Sequence, residues 1–222
     1  MKTLNLLFAA VLLLPNLLPA QSCVSPEYLG GFEGEPHDPV RAIPVQGSDG
    51  ALYFTTWKGG WADDGAIVKV LPDGTRITLV NFNRLNVERT PKAEPIGHSP
   101  ETGVVEGPDG ALYGTTQAGG NSTIGVSTVF RCTKDGNFIT LGYLPGGSSV
   151  TPSRLTLGSD GNFYGVTTNG GTGNGTVFRV APSSRGNYTA CTISTIVQFT
   201  GPAATITAAE GRYPKGPLAE RN

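Results

Sequence analysis

The sequence predicts an all-β protein built from repeated antiparallel sheets of four strands each. Glycine and proline are abundant, with 32 Gly and 17 Pro among 222 residues, which is well above average usage and typical of chains with many turns. Only 15% of the residues are charged, so the composition excludes a highly charged disordered chain. Long runs of strong helix formers are lacking, which argues against a helical bundle. A motif that occurs three times supplies the strands.

The first 22 residues have the layout of a secretory signal peptide. Lys2 provides a positive charge, residues 6–14 form an apolar stretch, and small residues follow up to Ser22. The apolar stretch is too short to cross a bilayer as a stable helix. We therefore expect a signal peptide over residues 1–22 and an exported repeat domain over residues 23–222. This domain would be secreted or located at the cell surface, without a membrane span in this chain.

Three cysteines remain after the predicted cleavage, namely Cys23, Cys132 and Cys191. An odd number leaves one thiol unpaired or bridged to another chain, and the spacing does not fix the pairing. Cleavage directly before Cys23 would permit lipid attachment, but the preceding residues fit that signal poorly. Cys132 stands where the two related segments carry valine, which predicts a small buried hydrophobic residue. No Cys-x-x-Cys pair occurs, so zinc and redox chemistry have no support.

One motif occurs three times along the chain. Each copy begins with a Gly-x-Asp-Gly segment, continues through a short apolar run that contains a tyrosine, and reaches a Gly-Gly pair before a second apolar run. An Asp-Gly pair between two apolar runs is a strong signal for a tight hairpin turn, so we assign these residues a structural role. They are Asp49, Gly50 and Tyr53, then Asp109, Gly110 and Tyr113, then Asp160, Gly161 and Tyr164.

Each unit contains four runs that are typical of strands. In the second unit the first run surrounds residues 103–105, and the others cover residues 111–116, 128–132 and 138–143. The last strand of the third unit is predicted over residues 193–199. A basic residue recurs at one position of the third run, and we expect it to pair with a neighbouring carboxylate or carbonyl. These basic residues are Lys69, Arg131 and Arg179, and the predicted units cover residues 41–83, 101–144 and 152–200.

Four-stranded repeats of this length are typical of β-propeller blades. The second run of the first unit carries apolar residues on both faces, with Leu52 and Phe54 against Tyr53. That pattern fits sheets that are covered on both sides by neighbouring blades. The glycines Gly114 and Gly165 lie within strands and predict the close approach of an adjacent sheet.

Two further segments resemble parts of a blade. Residues 28–34 resemble a fourth strand, and residues 213–222 resemble the start of another unit. We therefore expect three complete blades and two partial edges, which is an incomplete propeller. A closed propeller usually needs four to eight blades. The chain would then be the N-terminal part of a longer protein with further blades, or it would associate with another copy.

The repeated pattern Asp-Gly-x-Leu/Phe-Tyr-Gly-x-Thr, followed by Gly-Gly and Thr-Val-Phe-Arg, resembles the GloVer-type tandem repeat of exported "choice-of-anchor" bacterial proteins. The resemblance covers about residues 28–222 and is closest where Tyr113 and Tyr164 precede glycine. The first unit departs from it, because Phe54 replaces that glycine. The resemblance implies an exported propeller-like array, often with a C-terminal sorting anchor, and it implies no activity.

A second resemblance concerns the first unit alone. Residues 47–56 and 69–75 look like a blade of the streptogramin-lyase propellers, which use magnesium with His and Glu. The likeness lies in turn and strand residues rather than in a catalytic motif. The sequence also contains no HExxH motif, no GxSxG nucleophile elbow and no Walker loop. We therefore assign no catalytic residue, no metal ligand and no cofactor.

One predicted face collects the polar and aromatic loop residues. In a propeller, the loops between second and third strands and the connections between blades share one face, which commonly carries ligands. A Trp pair with two carboxylates could stack and hydrogen-bond a sugar, or one Trp could cap the rim between blades. Two histidines beside carboxylates could hold a metal, or they could share this face by chance. The candidate ligand-binding residues are Trp57, Trp61, Asp63, Asp64, His37 and His98.

The functional prediction is a binding or surface-display role with an unknown surface ligand or polysaccharide. A net charge of −1 provides no electrostatic basis for binding nucleic acid. One alternative is an exported propeller enzyme, lyase-like or hydrolase-like, that uses the face with His37 and His98. Another alternative is a glycan-binding module that uses Trp57 and Trp61.

Overall fold

All regular structure in the described part of the chain is β-strand. The computed structural model describes residues 42–83, 97–119, 125–148, 150–184, 187–200 and 214–220. These ranges contain three antiparallel sheets of four strands each, which confirms the all-β class and the array of three blades. They contain no helix that could cross a membrane. The predicted signal peptide, the strand at residues 28–34, Cys23 and His37 lie outside the described residues.

In every blade the four strands lie side by side in chain order. The first blade holds β1 (Val45–Gln46), β2 (Leu52–Thr56), β3 (Ala66–Val70) and β4 (Arg76–Asn81). The second holds β5 (Val104–Glu106), β6 (Leu112–Thr115), β7 (Val126–Cys132) and β8 (Phe138–Ser148). The third holds β9 (Thr156–Leu157), β10 (Phe163–Thr167), β11 (Thr176–Ser184) and β12 (Asn187–Gln198). The outer strands β8 and β12 are longer than the sequence predicts.

The Asp-Gly pairs form the first hairpin turn of each blade, as the sequence predicts. Gly50 adopts a φ of 80°, in the left-handed region where a side chain is strained. The backbone N–H of Gly50 donates to the carbonyl of Gly47 at 2.9 Å and closes the turn. The carboxylate of Asp49 accepts from the backbone N–H of Ala51 at 3.3 Å. This side-chain acceptor two residues back is why aspartate suits the position.

Neighbouring blades pack face to face through two apolar cores. Successive residues of a strand point to opposite faces, so the second blade contributes side chains to both cores. Burial on both faces was predicted, and Tyr53 and Phe54 are both buried, although Leu52 is exposed. The first core joins Tyr53, Ile67 and Phe82 to Leu112, Phe130 and Cys132. The second joins Tyr113 and Val129 to Phe163, Phe178 and Val180.

The strand glycines make room for an aromatic ring of their own sheet. A Cβ on Gly114 would lie 2.4 Å from Cζ of Phe130, which is its cross-strand partner. A Cβ on Gly165 would lie 2.5 Å from Cζ of Phe178, again its partner. The expected close approach of an adjacent sheet is therefore wrong as the reason for these glycines. In the first blade the large and small residues of this cross-strand pair are exchanged, because Phe54 replaces the glycine and lies opposite the smaller Val68.

Residues 214–220 contain no strand, although the sequence predicts a partial strand there. These residues nevertheless contact the third blade in the way that the linker after the first blade contacts the first blade. A Cβ on Gly65 would lie 2.8 Å from Cδ of Pro100, and a Cβ on Gly175 would lie 2.6 Å from Cδ of Pro214. The carbonyl of Leu218 also accepts from the Thr156 hydroxyl at 2.7 Å.

Candidate functional site

The loops at one end of the sheets are joined by backbone hydrogen bonds. The N–H of Ser99, in the linker between the first two blades, donates to the carbonyl of Asp64 at 2.9 Å. The carbonyl of Ser99 accepts from the N–H of Gln117 at 3.1 Å. One linker therefore holds the β2–β3 loop of the first blade and the β6–β7 loop of the second at the same end.

The two tryptophans of the β2–β3 loop face solvent. Trp57 is 41% exposed and Trp61 is 57% exposed. The Lys58 ammonium lies 5.1 Å from the centroid of the Trp57 ring and covers part of it. The backbone N–H of Trp61 donates to the side-chain oxygen of Asn81 at 3.3 Å, which ties the loop to the end of β4. The Trp61 ring is thus presented on an anchored loop.

The two aspartates of this loop differ in their surroundings. Asp63 has a φ of 55° and accepts from the backbone N–H of Gly59 at 2.9 Å. Its carboxylate also lies 3.5 Å from the ammonium of Lys58. Asp64 is buried, with 1% of its surface exposed. Asp63 therefore shapes the loop, and Asp64 is withdrawn from the surface where a sugar would stack.

His98 is part of the joint between loops. Its backbone N–H donates to the carbonyl of Ala118 at 2.7 Å, and its ring Nδ1 lies 3.0 Å from the hydroxyl of Ser99. In the described part of the chain, no three His, Cys, Asp or Glu side chains are placed to hold a metal ion.

A cavity of about 540 Å³ lies where the segments that lead into the first strands converge. Three blades and residues 215–217 all contribute to its wall. No sequence motif marks it, but most of its residues from the three blades stand just before a first strand, so an alignment of the repeats could have indicated those positions. The lining residues are Ile43, Glu101, Thr102, Thr151, Pro152, Ser153, Arg154, Thr168, Lys215, Gly216 and Pro217.

The wall of this cavity, which we call the central cavity, carries two cations and one carboxylate. Arg154 is half-buried, and its Nε donates to the carbonyl of Val104 at 3.2 Å. Burial lowers the pKa of Arg154 below its usual value, but an arginine stays protonated in proteins. Lys215 is exposed, and Glu101 supplies the carboxylate. Four hydroxyl side chains add donors and acceptors, so the cavity suits a polar ligand with negative charge.

The repeated tyrosines and aspartates have structural contacts. The Tyr53 hydroxyl donates to Asp49 at 2.6 Å, and Lys69 lies 2.9 Å from the same carboxylate. Desolvation raises the pKa of Asp49, but the hydrogen bonds from Tyr53 and Lys69 outweigh it and hold this pKa well below its usual value. In the second blade Arg131 pairs with Asp109 at 2.7 Å.

The third blade departs from the pairing of basic residue and aspartate that we predicted. The Tyr164 hydroxyl donates to Asp160 at 2.7 Å, as in the other blades. The Nε of Arg179, however, is buried without a hydrogen-bond partner. The expected pairing is therefore confirmed for Lys69 and Arg131, whereas the Nε of Arg179 does not take part in such a pair.

Both described cysteines are free thiols. Cys132 is fully buried in the first core, which confirms its prediction as a small hydrophobic residue. Burial raises the pKa of Cys132 to about 12 and that of Cys191 to about 11. Neither thiol is therefore ionised near neutral pH.

Comparison with known proteins identifies the repeat. The family described as the Gloeobacter/Verrucomicrobia repeat matches residues 24–222. No curated protein matches the sequence. The match spans all three blades and agrees with the resemblance drawn from the repeated motif. The chain belongs to the Gloeobacter/Verrucomicrobia repeat family.

Proposed function

We propose that this chain is an exported binding scaffold that takes a small hydroxylated carboxylate, such as an acidic sugar, in the central cavity. The observation that carries the proposal is the charge of the cavity wall, which is lined by two cations, Arg154 and Lys215, and by one carboxylate, that of Glu101. Export is supported by the signal-peptide layout of residues 1–22.

The chemistry of the wall supports this ligand class. A guanidinium group offers planar paired donors that match a carboxylate, and Arg154 uses its Nε on a backbone carbonyl, which orients the group. Thr102, Thr151 and Thr168 line the same cavity and provide hydroxyls for a polyol. Because several blades contribute to the wall, the site would be formed in advance of binding.

The test is titration of the full chain with glucuronate by calorimetry, with glucose as the neutral comparison. We expect glucuronate to bind more tightly than glucose, and Arg154→Gln to weaken glucuronate binding by about tenfold or more, since charged hydrogen bonds contribute at this level. Lys215→Gln provides a second variant at an exposed position, and Lys58→Gln, in the tryptophan loop, is the matched control. Equal binding of glucose, or a loss of affinity with Lys58→Gln alone, would overturn the proposal.

A second candidate is glycan binding by the tryptophan loop, favoured by the exposure of Trp57 and Trp61 at 41% and 57%. Large aromatic side chains at the surface are suited to binding. A soluble surface polysaccharide should then shift the tryptophan fluorescence, and Trp61→Ala should remove most of that shift. Trp57→Ala should have a smaller effect, because Lys58 already covers part of that ring. Retention of the full shift in Trp61→Ala would contradict this candidate.

A further inference from the structure

The contact between the first two blades encloses a lysine. The ammonium of Lys134, in the turn between β7 and β8, lies 2.8 Å from the hydroxyl of Ser48 and 2.8 Å from the carboxylate of Glu106. It also lies 3.7 Å from Asp49 and 5.8 Å from the centroid of the Tyr53 ring. We call the groups around it, Ser48, Asp49, Tyr53 and Glu106, the lysine socket.

The first blade and the second blade build this socket together. Ser48, Asp49 and Tyr53 belong to the first hairpin of the first blade, whereas Glu106 ends β5 of the second blade. The backbone N–H of Ser48 donates to Glu106 at 2.8 Å and its hydroxyl donates at 2.6 Å. The glutamate thus closes the socket, and Lys134 of the same blade fills it.

The third blade carries a second copy of the socket. The backbone N–H of Ser159 donates to Glu220 at 2.9 Å, and its hydroxyl donates at 2.6 Å. The Tyr164 hydroxyl donates to Asp160 at 2.7 Å. These are the same atoms, paired in the same way, as in the lysine socket of the first blade.

This second socket borders a cavity. A space of about 320 Å³ is lined by Asp160, Tyr164 and Glu220 together with Thr156, Gly158, Leu218 and Ala219. No lysine or arginine of the described ranges is among these lining residues. The ring of Tyr164 is half-buried, whereas Tyr53 is 0% exposed under its neighbour. The side chains suited to accept an ammonium, those of Asp160, Tyr164 and Glu220, line this space together.

The outer strand of the third blade resembles the outer strand of the first blade at the place where the Lys134 turn packs. The turn that carries Lys134 packs on the outer strand of the first blade, where a Cβ on Gly136 would lie 3.1 Å from the carbonyl of Leu79. Leu79 is the extra residue at the register shift of β4, and Ile196 holds the same place in β12. Ile196 is 48% exposed, so the surface on which such a turn would pack is open to solvent.

We propose that this face of the third blade docks a further repeat unit whose turn between third and fourth strands carries a lysine, and that this lysine enters the socket of Asp160, Tyr164 and Glu220. Continuity with the contact between the first two blades supports this occupant. The first blade of a second copy does not fit, because it has Pro72 where the second blade has Lys134. The partner is therefore a unit of the second-blade type.

The experiment extends the full chain with an additional copy of the second repeat unit and follows amide hydrogen exchange. We expect the amides of Ile196 and Val197 to gain protection in the extended chain. Replacing the added lysine, the counterpart of Lys134, by methionine should lower that gain about tenfold, as for loss of a charged hydrogen bond. Glu220→Gln should lower it similarly, and the two changes together should cost less than the sum of their separate effects.

The pair Lys134→Met and Glu106→Gln in the unextended chain is the matched control, because that socket is occupied. An added unit that leaves Ile196 and Val197 unprotected would overturn the proposal. Protection that is unaffected by the added lysine would also overturn it. Dimerisation of the unextended chain through the socket of Asp160, Tyr164 and Glu220, measured by sedimentation, would instead identify a second copy as the occupant and overturn the proposal as well.

Discussion

The pairing of a glycine with a phenylalanine across two strands makes a quantitative prediction. Gly114 lies opposite Phe130 in the second blade, and a Cβ at position 114 would lie 2.4 Å from Cζ of that ring. Substituting Gly114→Ala therefore forces the ring to move. We expect this change to destabilise the fold, although replacing glycine by alanine in a strand normally stabilises it.

The size of the effect depends on how freely the ring can move. Phe130 is fully buried, and its ring centroid lies 5.6 Å from that of Phe82 and 5.3 Å from that of Phe138. Overpacking of this kind typically costs about 1–3 kcal/mol. Replacing glycine by alanine within a strand contributes up to about 1 kcal/mol of stability, which offsets part of this cost. We therefore expect Gly114→Ala to lower the free energy of unfolding by about 1 kcal/mol, which is the middle of the overpacking range less the gain from alanine.

The assay is a double-mutant cycle measured by urea denaturation. Phe130→Val alone should cost about 2–4 kcal/mol through the cavity it leaves. Because that substitution also removes the clash, the double variant should be more stable than the sum predicts, by about 1–2 kcal/mol. The control combines Gly114→Ala with Phe178→Val, which lies in the other core. A neutral Gly114→Ala, or equal coupling to both phenylalanines, would refute the reasoning.

Three further predictions concern single side chains. The lowered pKa of Asp49 means that its ionised form stabilises the fold above pH 3.8, and that this stability is lost as the pH falls through the folded-state pKa. Asp49→Asn should therefore flatten the acid limb of the stability–pH curve, by at most about 1.4 kcal/mol per pH unit, and an unchanged limb would contradict this. Cys132 and Cys191, with pKa values raised to about 12 and about 11, should react with a disulfide reagent at pH 8 only after denaturation; rapid reaction of both in the native protein would oppose it. His98→Ala should preserve glucuronate binding, because the backbone of His98 makes the loop contact, whereas loss of a catalytic turnover in that variant would favour the enzyme alternative.

Local features of this chain could be predicted from its sequence. The turn at Asp49 and Gly50 depends on one positive φ and on one side-chain acceptor for a backbone N–H two residues away. Two adjacent residues supply both, so the sequence alone indicates the turn. The burial of Cys132 followed from its place in the repeat, because equivalent positions of stacked blades face equivalent neighbours. Strand order was equally accessible, since short Asp-Gly turns allow only antiparallel neighbours.

Features that depend on distant residues could not be predicted in the same way. Gly114 and Gly165 indicated that another group approaches the strand closely at these positions. The sequence does not say whether that group belongs to the same sheet or to the next sheet. The unpartnered Nε of Arg179 departs from a pattern that two other blades follow. The central cavity requires side chains from three blades and a following segment to converge, and no single stretch of sequence records that geometry.

The bond between Ser48 and Glu106 gives the array a direction. Ser48 donates to the carboxylate of Glu106, which lies 58 residues later in the chain. The first hairpin therefore reaches its final set of hydrogen bonds only when the second blade has formed. Energetic coupling between neighbours is what makes repeat arrays cooperative, and here a carboxylate of the second blade couples that blade back to the first. During synthesis, the first blade would therefore complete its contacts one unit behind the growing end of the chain.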